Sequence, residues 1–219
     1  MRYCTKADQF FTEEEKEKIK VTTIGVEART IGEIVTVAVD QSSEYQEAMF
    51  LGGIFLGGFA ALVITVLLFH ASVWAFVPIV FLLFFPSRYL FQKVPALKAV
   101  FIGKRRKEKA VRDRAIRTFY ERGLYKTKKR TGVLFFLSLL ERKVWILADE
   151  GIHSKIHQER LDKFARMVSS GIREARTADA LCEAITGVGE ILWEHYPISD
   201  ADTDELPNNL QFGEHHGDT

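Results

Sequence analysis

The side chains best placed to do chemistry in this 219-residue chain are four carboxylates: Glu27 and Glu33 early on, Asp149 and Glu150 far downstream. Hard oxygen ligands of this kind suit Ca²⁺ when a fold brings them to one point. Arg130 offers the plainer alternative, a salt-bridged cluster in which the guanidinium neutralises the acids. Both readings stay open on the residues alone, so Ca²⁺ is the one cofactor the sequence raises. Other chemistries lack their parts. There is no P-loop pattern, and Gly187-Val188-Gly189 lacks the third glycine of a dinucleotide loop. No G-x-S-x-G elbow occurs. Neither Cys4 nor Cys182 is followed six residues later by the arginine of a cysteine-dependent phosphatase. Asp200, Asp202 and Asp204 mimic the start of an EF-hand loop, but Glu205 stands where glycine is needed and Gln211 where glutamate is. His153 and His157 are four apart on an expected helix, with no further ligand, and read as solvated histidines.

The elements that must position these groups are divided by charge. Residues 88–130 carry sixteen bases against three acids, whereas residues 1–47 and 146–219 are acidic. Between Glu47 and Arg88 no Asp, Glu, Lys or Arg occurs. A bilayer core about 30 Å thick takes roughly 20 helical residues to cross. The gap therefore predicts two crossings, at about 49–69 and 73–91, with a turn at His70-Ala71-Ser72, so that residues 48–92 form a transmembrane hairpin. This excludes a soluble one-domain protein, and modest Gly, Pro and Cys contents exclude collagen, a disulfide scaffold and a disordered chain. Arg88, Lys93, Lys98, Lys104, Arg105 and Arg106 follow the second crossing, which places both chain ends in the cytoplasm. These bases, with Arg142, are the expected membrane-surface residues. For the basic stretch 104–130, anionic lipid headgroups are a simpler partner than nucleic acid. Both cysteines are then expected as thiols. Pro78 and Pro86 lie in the second crossing. Gly53, Gly57 and Ala61, four apart, form a small-residue stripe for close helix packing, either within the hairpin or between copies in a homo-oligomer.

Outside the hairpin, Thr12 and Glu15 make a capping box for a helix reaching residue 27 or 28. Residues 33–39 form a β-branched run, nearly apolar on both faces, which argues a buried strand. Residues 95–103 read as an interfacial segment, 104–122 as a basic helix, and 132–139 and 143–147 as a β-hairpin. Helices at 153–170 and 177–195 follow, the latter capped by Thr177. The acidic tail, 198–219, is expected to have no fixed structure or to order only on docking. With the hairpin set aside, a strand–helix–strand unit remains, which requires a parallel pair. Residues 1–47 and 93–197 then make one α/β domain, with Glu33, Arg130, Thr131, Asp149 and Glu150 at one end of its sheet.

The segments from Glu27 to Val37 (EARTIGEIVTV) and from Arg130 to Val144 (RTGVLFFLSLLERKV) resemble the TPM domain family. Ala148-Asp149-Glu150-Gly151-Ile152 and the 177–196 helix before a proline extend the likeness to about residues 10–48 and 105–197. The chain is similar to a bacterial membrane form in which a transmembrane hairpin interrupts the domain. The resemblance implies a small α/β/α sandwich in the bacterial inner membrane. It also implies, in different members, a phosphatase label, calcium binding, or an accessory role in membrane complexes, with LemA-type membrane proteins as partners. Arg130-Thr131-Gly132 stands where soluble members commonly carry an acidic residue before Asn-Gly. Asp149-Glu150-Gly151 stands where they carry Gly-Tyr-Gly. The reading reached is a non-enzymatic, membrane-anchored interaction and assembly module. The alternative is a divalent-metal-dependent phosphatase acting on phosphomonoesters.

Overall fold

The computed structural model describes residues 6–70, 72–127, 129–153, 155–198 and 206–213. Two compact units emerge, one from the chain up to Ser43 and from Glu108 onward, the other from Glu44–Lys107.

In the first unit, helix α1 (Glu13–Glu27) starts as its sequence dictates. The Thr12 hydroxyl accepts from the Glu15 N–H, and the Glu15 carboxylate accepts from the Thr12 N–H. The chain then enters β1 (Glu33–Val39), whose seven residues are all buried. β2 (Gly132–Ser138) lies parallel to β1, in register from Glu33 opposite Gly132 to Val39 opposite Ser138. β3 (Lys143–Ala148) returns antiparallel to β2 after a tight turn in which Arg142 takes a φ of 50°. The mixed α/β class and the parallel pair follow the expectation.

Alternation sends neighbouring residues of these strands to opposite faces. Ile34, Ala38, Phe135, Leu137 and Ile146 pack with α1, α7 (Gln158–Glu174) and α8 (Thr177–His195). Val35, Val37, Val39, Leu134 and Phe136 pack with Val111, Ala115 and Phe119 of α5 (Lys104–Glu121). Helices thus cover both faces, and an α/β/α sandwich results.

Three expectations need correction. The tail does not lack structure throughout: Gln211–Phe212 form β4, parallel to β1, giving the sheet order β3-β2-β1-β4. The remainder of that tail, 199–205 and 214–219, lies outside the described residues. The helix expected at 153–170 is broken, because His157 adopts an extended conformation between α6 (Glu150–His153) and α7. His153 and His157 therefore do not share one helix. Thr177 is the first residue of α8 rather than its cap, a position Arg176 takes without a side-chain bond.

In the second unit, α2 (Gln46–Leu68) and α3 (Val73–Lys93) are long and apolar enough to cross a membrane. Of the expected turn residues between them, Ala71 lies outside the described residues. Pro78 and Pro86 both sit inside α3. The short α4 (Pro95–Phe101) brings Phe101 against Phe55 and Phe91, with ring centroids 6.2 and 5.2 Å away.

Candidate functional site

The topology does bring the candidate residues to one end of the sheet. Glu33 opens β1 opposite Gly132, and the Gly132 carbonyl accepts from the Asp149 N–H at 2.9 Å. Glu33 and Asp149 therefore flank β2 on its two sides, with backbones two strand spacings, or roughly 10 Å, apart. Glu27 joins them from the end of α1, where its Oε1 accepts from the Ile34 N–H at 2.7 Å. Asp149 stands just before α6, and its Oδ1 accepts from the Glu150 N–H at 2.7 Å. Arg130 forms an ion pair with Glu150 in the open, both side chains well exposed.

Glu27, Asp149 and Glu150 thus have local work, and the salt-bridged arrangement is realised for Arg130 and Glu150. Among the described residues no three His, Cys, Asp or Glu side chains come together in a way that would hold a metal ion. Asp149 has a feature that suits a cation. Its carboxylate is buried, and its Oδ2 takes no hydrogen bond among the described residues.

The end is also rigidly built. A side chain on Gly151 would put its Cβ 2.5 Å from the Arg130 carbonyl oxygen, so only glycine fits there. The Tyr196 hydroxyl donates to the Gly151 carbonyl (2.5 Å), and the Tyr196 carbonyl accepts from the Thr30 hydroxyl (2.6 Å). The Thr131 hydroxyl donates to the Ile31 carbonyl at 2.9 Å. The start of β1, the start of β2 and the end of α8 are thereby tied together.

The opposite end of the sheet holds a further acid, Glu141, in the turn between β2 and β3. Glu141 is buried; its Oε1 accepts from the Ser42 N–H (3.0 Å) and its Oε2 from the Ser138 hydroxyl, to which the Ser42 hydroxyl donates in turn (2.7 Å). A buried carboxylate needs such donors. It fixes the segment leaving β1 against the β2–β3 turn. The sequence signal for it is a serine closing β2, Ser138, and another just after β1, Ser42.

Of the expected membrane-surface residues, Arg88, Lys93, Lys104, Arg105 and Arg106 are exposed. Arg88 lies over the Phe50 ring at 4.4 Å, and Arg106 pairs with Glu47 at 2.9 Å. Arg142 is half-buried in its turn. Lys98 differs from expectation: it is buried, in a short helix that packs against both α2 and α3. Gly53, Gly57 and Ala61 are also buried, and Gly53 and Gly57 lie against α3. A Cβ on Gly57 would lie 3.3 Å from the Leu83 carbonyl carbon and oxygen, and one on Gly53 would lie 3.3 Å from the Arg88 Cβ. Cys182 is buried as a free thiol, and Cys4 lies outside the described residues.

Comparison with known proteins agrees with this architecture. The TPM domain family model matches residues 96–191, from α4 into α8. Among solved structures, the NMR structure of the BA42 protein from the psychrophilic bacterium Bizionia argentinensis is similar with a TM-score of 0.60. That likeness covers 96% of this chain and 100% of the other at 20% sequence identity, and it bears on the fold alone. No curated protein matches the chain significantly. The match to the TPM domain thus takes in β2, β3 and the helices from α5 into α8, the greater part of the sandwich.

Proposed function

We propose that the chain is a membrane-anchored TPM domain acting as a non-enzymatic assembly module for other membrane proteins, LemA-type proteins among them. One observation carries the reading. The two apolar helices lie in the connection between β1 and β2, the central parallel pair of the domain, so the anchor is part of the fold rather than an appended tail. Large apolar side chains cover the outside of the hairpin, as lipid requires: Phe55, Phe59, Leu67, Phe81 and Phe85 are all exposed. Positive residues after α3 favour a cytoplasmic domain at the bacterial inner membrane, with anionic headgroups as their partners.

The competing reading is a metal-dependent phosphatase, and the buried, incompletely bonded Asp149 carboxylate is what favours it. One assay separates the two. Purified chain in detergent is offered a generic phosphomonoester with and without Ca²⁺ or Mg²⁺, alongside Glu33→Ala and Asp149→Ala. The module reading expects no turnover above buffer in any of them. Metal-dependent turnover that both substitutions abolish would replace it with the enzyme.

A further inference from the structure

Residues 206–213 cover an edge of the sheet that is otherwise open, and they cover it incompletely. β1 pairs with β2 along all seven of its residues, but with β4 only at Val37–Gln211 and Ala38–Phe212. One further bond, from the Gly213 N–H to the Ala38 carbonyl at 3.1 Å, continues the ladder. Leu210 is buried on the side of α1, α7 and α8, and Phe212 packs on that side as well. Alternation turns Gln211 to the other face, beside Val37, which packs among Val35, Val39, Val111 and Phe119. There the Gln211 Oε1 is buried with no hydrogen-bond partner among the described residues. A buried amide oxygen without a donor opposes the fold. The segment is therefore held by its short ladder, by Leu210 and Phe212 on one face and by Leu206 on the other, against the chemistry of Gln211. Two cations stand at the Phe212 end of the strand. Lys16, which also pairs with Glu13, lies 5.4 Å from the Phe212 ring, and Arg122 donates to the Phe212 carbonyl at 3.4 Å.

We propose that this edge of β1 is a docking site for an extended segment of a partner protein, and that residues 206–213 are its displaceable occupant. The partner strand runs parallel to β1 and places an apolar, β-branched residue where Gln211 stands, beside Val37. It ends on a negative charge, which Lys16 and Arg122 receive. Strand addition of this kind takes its affinity from main-chain bonds and its selectivity from alternate side chains. The inference rests on the assembly-module reading and supplies its binding chemistry.

The test uses the full chain in detergent and synthetic peptides of residues 206–213. One peptide has the native sequence, one carries Gln211→Val, one is scrambled, and the Gln211→Val peptide is made both with a free terminal carboxylate and as the amide. Binding is read by fluorescence anisotropy, and displacement by amide exchange at Gly213 and Leu139. The Gln211→Val peptide should bind roughly tenfold or more tighter than the native one. Its free carboxylate should bind tighter than its amide, by a margin that shrinks with salt. On binding, the Gly213 amide should lose protection, while Leu139, bonded to the Val39 carbonyl on the β2 side, should keep it. The same substitution in the full chain should hold the segment in place and weaken peptide binding. Absence of binding, equal binding of native and Gln211→Val peptides, or binding that leaves Gly213 protected would each overturn the proposal. None of these outcomes touches the phosphomonoester assay, so the module reading stands or falls separately.

Discussion

The two units of this molecule are built inside out with respect to each other. In the sandwich the hidden positions are filled by large apolar side chains: Phe135 and Phe136 are both 0% exposed, as are Ile19, Leu161 and Leu181 on the covering helices. In the hairpin the hidden positions of α2 are Ala48, Gly52, Gly53, Gly57, Ala61 and Thr65, while Phe59 is 66% and Leu67 74% exposed. Water drives large apolar groups together, so a soluble core collects them. Lipid is as apolar as leucine and provides no such drive, so helices there meet through small residues that let backbones approach. The sandwich carries the first pattern and α2 the pattern that lipid would call for, the two units dividing at Ser43 and Glu108.

The largest expected effect tests that contrast directly. Phe136→Ala opens a cavity between β2 and α5 and should cost about 3–5 kcal/mol of unfolding free energy. Phe59→Ala removes the same atoms from an outward face of α2 and should change stability in detergent by no more than about 0.5 kcal/mol. Denaturant unfolding of the two variants side by side decides it. Comparable losses would mean that Phe59 is covered by protein.

Next in size is the stripe. Gly57→Ile forces atoms against the Leu83 backbone, which cannot rotate away as a side chain can. Overpacking of this kind costs about 1–3 kcal/mol. Gly58, one residue on, has nothing within 4 Å of its missing Cβ, so Gly58→Ile should be tolerated in the same measurement. If Gly57→Ile instead leaves stability unchanged and alters only the oligomer size in detergent, the stripe packs between copies rather than within the hairpin.

What could be read from the sequence follows from how local each determinant is. The strands Glu33–Val39 and Gly132–Ser138 announce themselves because both faces of each are covered, leaving continuous apolar runs. Thr12 and Glu15 sit three residues apart and cap their helix without outside help. The hairpin shows as a gap in charge. β4 could not be read, because two residues carry no period and Gln211 argues against burial. Lys98 misleads for a related reason: its charge predicts exposure, but its place on α4 decides otherwise. For the candidate site, strand direction sufficed to gather Glu33, Arg130, Asp149 and Glu150 at one end. Their partners did not follow, since the bond from the Ile34 N–H to Glu27 depends on where α1 ends in space.

A smaller effect is expected where charge meets water. The Arg130–Glu150 pair is exposed on both sides, and such pairs contribute about 0–1 kcal/mol. Arg130→Ala should lower the melting temperature slightly, and less as salt is raised. With the carboxylates engaged separately, millimolar Ca²⁺ should leave the melting temperature of the wild type where it was. A clear rise, abolished in Asp149→Ala, would show that the buried end of the sheet takes a cation after all, since a ligand selective for the folded state stabilises it by mass action.

The smallest effect concerns the ion pair that joins α1 to α8 on the exposed surface. Lys18 Nζ donates to Asp179 Oδ1 at 2.6 Å. That bond, more than the longer-range attraction, holds the Asp179 carboxyl below its ordinary range and raises the Lys18 ammonium above its own. A carboxylate whose folded value is depressed contributes stability above its unfolded value, and the contribution fades as pH falls through the folded one. An ammonium whose folded value is raised contributes below its unfolded value, and the contribution fades only as pH climbs through the folded one. The pair should therefore act at full strength across the neutral range and weaken at both extremes. Because both groups are in water, the difference in melting temperature between wild type and Asp179→Asn should be slight at neutral pH and vanish in acid. Carbon-detected titration of Asp179 gives the sharper reading. A midpoint at the ordinary carboxylate value, unmoved by Lys18→Met, would show that the contact does not persist in solution, and that α1 and α8 are held by Ile19 and Leu181 in the core without help from their rim.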